Sequence, residues 1–421
     1  MAFVDALLSS SVVTANYLAA STNYIVETDA GVQYIVYIDG ASDVMFTKST
    51  DSGKTWAAPT TIFTGTATQL SIWFDKWSGL AGGLIHCAYT ESVTDDVFYR
   101  SINTASADAL GTQTTIFAST GATVGLSISI ARMRGGNLIC VGTINDGTTN
   151  FAKKSTDAGA NWGDIAAVME SAAGDQVIMA PGFASDNNDA MCLFWDASAS
   201  EISVKFYDDS LDSWSETAFA TSMTALASST AYPNFSMTVD LTNSELIMAA
   251  WSAADLLNAD LRIFTVSEAA QTELTNVVLN STDDQGMCAV SLDTTNGDIY
   301  VFYCGLSDGS ETFVTALNIY YKVSTDDGTT WGSETKLSPG ASNKTLLFTN
   351  PRMVYLSAEP IVGYYNPGGG DSISCISVMP TIPAVADVES GVTYGINGVQ
   401  FTGTLAAGGG NANILLGSVI S

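Results

Sequence analysis

Positive charge is what this chain has least of. Its 421 residues carry 14 Lys and Arg against 43 Asp and Glu, a formal charge of −29. The acidic count is ordinary for the length; the basic count is the low one. Such a surface repels phosphate backbones, which argues against nucleic-acid partners, and it favours a soluble, self-avoiding molecule. Histidine is nearly missing: His86 stands alone, which removes multi-histidine metal centres and any triad with a spare imidazole. No apolar run approaches the roughly 18–20 residues of a membrane helix, so no membrane insertion is expected. The opening MAFVDALLSSSVVTANYLAAS has no basic stretch and includes Asp5, a poor secretory signal. Cysteine pairs of the CxxC kind are absent. Cys87, Cys140, Cys192, Cys288, Cys304 and Cys375 each sit in an apolar, strand-like run and read as buried free thiols of a protein folded in a reducing cytoplasm. Helical periodicity is almost absent as well.

Short apolar runs are there instead, and they recur. YIVYID, LIHCAY, NLICVG, MCLFWD, LIMAAW, IYVFYC and PIVGYY are anchored at Ile35, Ile85, Ile139, Leu193, Ile247, Tyr300 and Ile361. Successive anchors are 50, 54, 54, 54, 53 and 61 residues apart by subtraction. A period of about 50 with strand-type content predicts propeller blades. The long last interval holds an insertion at 306–316. Each module parses as about four strands punctuated by Gly, Asn and Asp, and radial packing of such antiparallel blades protects their edges. The count is seven blades, or six if one module is misread. The seventh shows three strands, and DALLSSSVV near the start is placed to supply its outer strand and close the ring.

A second pattern follows the third strand of several modules. STDSGKTW at 49–56 returns as STDAGANW at 155–162 and STDDGTTW at 324–331. A worn copy, YDDSLDSW, has Asp209 five residues before Trp214, with Leu211 in place of the glycine. The pattern has the chemistry of a hairpin turn. The carboxylates of Asp51, Asp157 and Asp326 accept from backbone N–H groups a few residues on. Gly53, Gly159 and Gly328 supply a positive φ, and Trp56, Trp162 and Trp331 fold back to fill space between strands. None of this needs a substrate.

The pattern S-x-D-x-G-x-x-W resembles the Asp-box, or bacterial neuraminidase repeat, and the modules cover roughly residues 20–380. The resemblance implies an all-β propeller similar to those of sialidases, other glycoside hydrolases, sortilin-like receptors and photosystem assembly factors. In that family the boxes lie on the blade rim, so they mark fold and not activity. A sialidase-like site would need three arginines around a carboxylate, a Tyr–Glu nucleophile pair and an acidic proton donor. The family's FRIP-type arginine motif is missing, and the chain has five arginines, at 100, 132, 134, 262 and 352. No catalytic residue is assigned. Arg352, Arg132 and Arg134, on or near inner strands, are candidate ligand clamps. Trp73 and Trp77 in SIWFDKWSG are candidate sugar-stacking faces, and Tyr364 and Tyr365 lie beside the Gly-rich loop NPGGG. For each the structural alternative is core filling or a local ion pair. Acidic loops suit Ca²⁺, but solvated turns have the same composition; no metal ligand set and no cofactor is assigned.

After residue 380 the composition shifts. The expected organisation is a propeller over 1–380, a linker at 381–386 with Pro383, and a C-terminal module over 387–421. That module is Gly-rich, nearly uncharged and too short for a core of its own, which favours docking or self-association. DVESGVTYGINGVQFTGTL resembles a module at the C-termini of virion structural proteins of tailed bacteriophages. The resemblance implies assembly, with Gly391, Gly395 and Gly403 in tight turns and Tyr394 and Leu405 in packing. The reading is a virion structural or adhesive protein, made in the host cytoplasm and carried in the particle. Its partners are other virion proteins or its own copies, and its propeller is open to host surface glycans. The alternatives are a sialidase-like glycoside hydrolase and a protein-binding propeller of the assembly-factor kind.

Overall fold

Runs of β-branched and aromatic residues, too short for helices and closed by Gly, Asn and Asp, leave the backbone to satisfy itself between strands. In the computed structural model they do so in seven sheets of four or five strands, with one further two-stranded sheet, among the described residues. Those residues are 5–9, 23–51, 53, 55–119, 124–144, 150–166, 176–184, 187–196, 201–221, 235–251, 261–268, 270–274, 286–305, 318–337, 345–349, 352–353, 360–366, 372–378, 393–396 and 399–402.

Blade 1 pairs Ile25–Glu27, Gln33–Ile38, Val44–Ser49 and Thr60–Phe63 in that order. Blade 2 pairs Ala67–Phe74, Leu84–Glu91, Asp96–Asn103 and Thr114–Phe117, with Ala109–Leu110 beside its third strand. Blade 3 is Val124–Arg132, Leu138–Ile144, Asn150–Ser155 and Gly163–Asp164. Blade 4 is Gln176–Pro181, Ala190–Asp196, Glu201–Asp208 and Ser213–Thr221. Blade 5 is Phe235–Asp240, Glu245–Trp251, Leu261–Val266 and Gln271–Glu273. Blade 6 is Gly286–Asp293, Ile299–Cys304, Ile319–Ser324 and Thr335–Lys336, with Arg352–Met353 parallel to its first strand. Blade 7 is Thr345–Thr349, Ile361–Asn366, Ser372–Ser377 and, as its outer strand, Asp5–Ser9.

The expected propeller of four-stranded antiparallel blades is therefore present. All seven anchor residues of the sequence repeat fall in second strands, buried on both faces except Tyr300. The chain's first strand closes the last blade: Asp5 lies opposite Ile376 and Ala6 opposite Cys375, antiparallel. The chain divides into two compact units. One is Phe3–Val378, which carries the blades. The described part of the other is an antiparallel hairpin, Thr393–Ile396 with Val399–Thr402. The expected linker at 381–386 lies outside the described residues.

First strands of successive blades face one another, and serines join them. Ser71 accepts from the Ile130 amide, Ser127 from that of Val177, Ser129 from that of Met179, and Ser236 from that of Val290. Except in blade 6, where Arg352–Met353 pairs with part of it, a first strand has no ladder partner on its inward edge, so its N–H groups would otherwise be buried without acceptors. The hydroxyls remove that cost while leaving the strands free to splay as the ring requires. At the join of blades 7 and 1, Asn23 forms a parallel bridge with Thr349. The Asn23 side-chain amide crosses to the Met237 carbonyl in blade 5 at 3.2 Å.

Candidate functional site

The three repeated turns share one hydrogen-bond pattern. In blade 1 the Ser49 hydroxyl donates to Asp51 and accepts from the Gly53 amide, at 2.8 and 2.9 Å. Asp51 takes the Thr55 amide at 2.8 Å and its hydroxyl at 2.7 Å. Asp157 does the same with the Asn161 amide and side chain, and Asp326 with both groups of Thr330. Gly53, Gly159 and Gly328 have φ of 79°, 90° and 77°. Each turn presses on the blade before it. A Cβ on Gly159 would stand 2.0 Å from the Tyr99 ring of blade 2; Gly53 lies by Ile361 of blade 7 and Gly328 by Leu274 of blade 5. Trp162 meets Tyr99 edge-on and donates to Thr114, while Trp56 donates to the Gly53 carbonyl. Trp331, like the other two, packs partly buried against the core.

The worn copy in blade 4 departs from this. Asp208, not Asp209, caps its turn, accepting from the Ser210 and Leu211 amides at 2.9 and 3.1 Å. Without the glycine the strands join in a direct hairpin, Asp208 opposite Ser213. Asp209 reaches instead to Lys154 of blade 3 at 2.7 Å, and Trp214 donates to the Ala166 carbonyl there. Blade 2, also without a full box, uses Asp108 in the same way toward Lys48 and Tyr34 of blade 1. The Asp209, Trp214 and Asp108 contacts each join neighbouring blades.

The candidate sugar platform is a correction. Trp73 and Trp77 are 2% and 1% exposed and stack edge-to-face at 5.5 Å, because the link between the first two strands of blade 2 folds inward. Its single 3-10 turn, Asp75–Ser78, ends on Gly79 in the left-handed region. A Cβ there would come within 2.7 Å of Leu241 in blade 5, on the far side of the ring. The turn therefore reaches from blade 2 to blade 5, with Trp77 buried in it. In the first strands the described side chains of Leu70–Phe74, Ser127–Ala131, Gln176–Pro181, Phe235–Asp240 and Cys288–Asp293 are buried.

This fold-over creates the densest polar constellation among the described residues. Asp75 accepts from His86 Nε2 at 2.9 Å, from the Leu84 amide at 2.9 Å and from the Arg132 guanidinium. His86 Nδ1 accepts from the Tyr99 hydroxyl at 2.8 Å. Asp75 and His86 are fully buried. Burial works against the Asp75 charge, but His86, the Leu84 amide and Arg132 outweigh it and hold the carboxyl below its ordinary range. Burial pushes His86 down, and Arg132 adds to this, more than Asp75 pushes it up, so the imidazole is neutral at pH 7. Both ring nitrogens are engaged and neither reaches solvent. Chemically the cluster is a buried ion pair with a neutral relay, joining blades 2 and 3.

The remaining candidates scatter. Arg134 donates to the Phe183 carbonyl in blade 4, Arg100 to the Gly111 and Ile62 carbonyls, and Arg262 lies over the Phe264 ring at 5.0 Å. Arg352 stands opposite Leu292 on the parallel strand of blade 6; its side chain lies outside the described ones. Tyr364 is buried in blade 7, a second correction, since its neighbours there are Val362 and Ile376 of the core. Tyr365 is placed by register opposite Thr345 and Ile373. In the C-terminal hairpin Tyr394 pairs with Phe401 and Gly395 with Gln400; Gly391, Gly403 and Leu405 lie outside the described residues. Among the described residues no group of three or more His, Cys, Asp or Glu is set to hold a metal ion. The Asp75 network was beyond sequence reasoning. Its one signal was the lone histidine inside an apolar strand.

The ring of blades and its repeated rim turns define a β-propeller. No family model and no curated protein matches the chain. Solved structures do. One is an ulvan lyase of polysaccharide lyase family PL25 bound to -[GlcA(1-4)Rha3S]-, at 9% identity over 89% of this chain and 95% of that one, TM-score 0.57. Others are the Hadza microbial sialidase Hz136, at 14% identity over 86% and 66%, TM-score 0.44, and the intramolecular trans-sialidase from Ruminococcus gnavus, at 11% over 87% and 95%, TM-score 0.41. At these identities the likeness is one of fold.

Proposed function

We propose that the chain is a glycan-binding propeller without hydrolytic chemistry, displayed on a tailed-phage particle and anchored by residues 387–421. The observation that carries the first half is the engagement of the described arginines, beside a single imidazole that is itself sealed in with both nitrogens bonded. Arg100, Arg132 and Arg134 are likewise spent on carbonyls and Asp75, which speaks against an arginine clamp of the sialidase kind. Glycan binding draws support from the ulvan lyase, a structure of similar fold and extent bound to -[GlcA(1-4)Rha3S]-. The virion role rests on the resemblance of the C-terminal segment DVESGVTYGINGVQFTGTL.

The test is a glycan array and affinity electrophoresis on the full chain, run beside assays for lyase and glycosidase products on sialosides and uronate-rich polysaccharides. Binding without turnover is expected. Turnover lost in Arg352→Ala would overturn the reading in favour of an enzyme. For the anchor, a chain ending at Ala386 should keep its blades folded yet fail to enter particles.

A further inference from the structure

Glu27 closes the first strand of blade 1, and its register partner is Gln33. Its carboxyl is buried at 3% exposure and takes one hydrogen bond, from Gln33 Nε2 to Oε1 at 3.3 Å. Glu27 Oε2 and Gln33 Oε1 are both buried acceptors without a donor. A buried carboxylate in that state is costly; a protonated one is not, because the proton itself supplies the missing donor.

The position matters as much as the chemistry. Gln33 Oε1 lies 3.4 Å from where a Gly53 Cβ would be, and Ile361 Cδ1 of blade 7 touches the same point. From blade 6 the group that acts on Glu27 is Asp293, another carboxylate, which itself accepts the Thr295 amide. From blade 7 the described neighbour at this corner is apolar. The backbone of Arg352–Met353 runs beside Asp293. This corner is also the seam where the ring shuts, since blade 7 is completed by the chain's first strand and joined to blade 1 by the Asn23–Thr349 bridge.

We propose that this seam is a proton-dependent latch: protonated Glu27 holds blade 1 against blades 6 and 7, and loss of the proton loosens the closure. Burial, then Asp293, lift Glu27 from its ordinary 4.5 to about 7, against the Gln33 bond. In an opened seam Glu27 ionises near 4.5. The closed form thus keeps, between about 4.5 and about 7, a proton that the open form has lost. Its advantage is full below that window, falls through it and is gone above it. A window of this width is worth on the order of 100-fold in the opening equilibrium.

The experiment is hydrogen exchange of the full chain at pH 5 and pH 8, read as protection factors for segments 25–38 and 372–377. Protection should fall on the order of 100-fold at pH 8 in the native chain and stay level in Glu27→Gln. Equal protection at both pH values, or an equal loss in Glu27→Gln, overturns the latch. Should Glu27→Gln not fold, Asp293→Asn must shrink the fall; an unchanged fall counts against it. Arg352→Ala is the decisive arm for the opposite case. If Glu27 is an ionised partner of Arg352, that variant removes protection at pH 8 selectively, and the proposal fails.

Discussion

Gly159 shows how little room one residue in this molecule has. It holds φ of 90° and faces the Tyr99 ring so closely that a methyl would overlap it. Both the backbone and the packing therefore oppose a side chain there, each at a cost of about 1 kcal/mol or more. Gly159→Ala should lower the unfolding free energy by about 2–4 kcal/mol in a denaturant titration. Gly163→Ala, four residues on with open space around it, should stay within about 0.5 kcal/mol. This corner was readable from the sequence, because Asp, Gly and Trp at fixed offsets encode a turn locally. Asp209 was misplaced for a related reason. With Leu211 where a glycine would be, the local code changes to a direct hairpin capped one residue earlier. Trp73 and Trp77 were not readable at all, since their burial depends on the Asp75–Ser78 turn folding inward, where Gly79 meets Leu241 from the opposite side of the ring.

The first strands solve a problem that the other strands do not have. Their inward edges converge, and serines cap amides across the gaps between blades 2 and 3, 3 and 4, and 5 and 6. Ser129→Ala would leave the Met179 amide buried with no acceptor, since the hydroxyl now sits 2.9 Å from it. A loss of about 1–3 kcal/mol follows, and exchange at Met179 should rise more than at Ile178. Ser129→Thr keeps the hydroxyl and should recover part of it. Second strands were legible as apolar runs of period about 50, buried on both faces. The serines of first strands read as ordinary alternation, because an acceptor for a neighbouring blade looks no different in sequence from an outward-facing polar residue.

At the scale of the whole ring, closure depends on the strand Asp5–Ser9, which completes blade 7 from the other end of the chain. Removing residues 1–9 would bare the edge of Ser372–Ser377, and an open edge seeks other strands. The expected outcome is oligomer or precipitate in size-exclusion chromatography and loss of a single sharp thermal transition. A monomer with an unchanged transition would show that closure does not need this strand. Seven-fold repetition and the closing strand were legible because they are local patterns repeated. The Asp75–His86–Arg132 network and Glu27 were not, because each depends on which blade arrives beside which.

The inward-folded turn at Asp75–Ser78 has one more consequence. It carries Gly79 of blade 2 against Leu241 of blade 5, two blades that share no strand. Such a turn acts as a spoke, and a spoke fixes the span between blades that the rim contacts alone leave to add up one neighbour at a time.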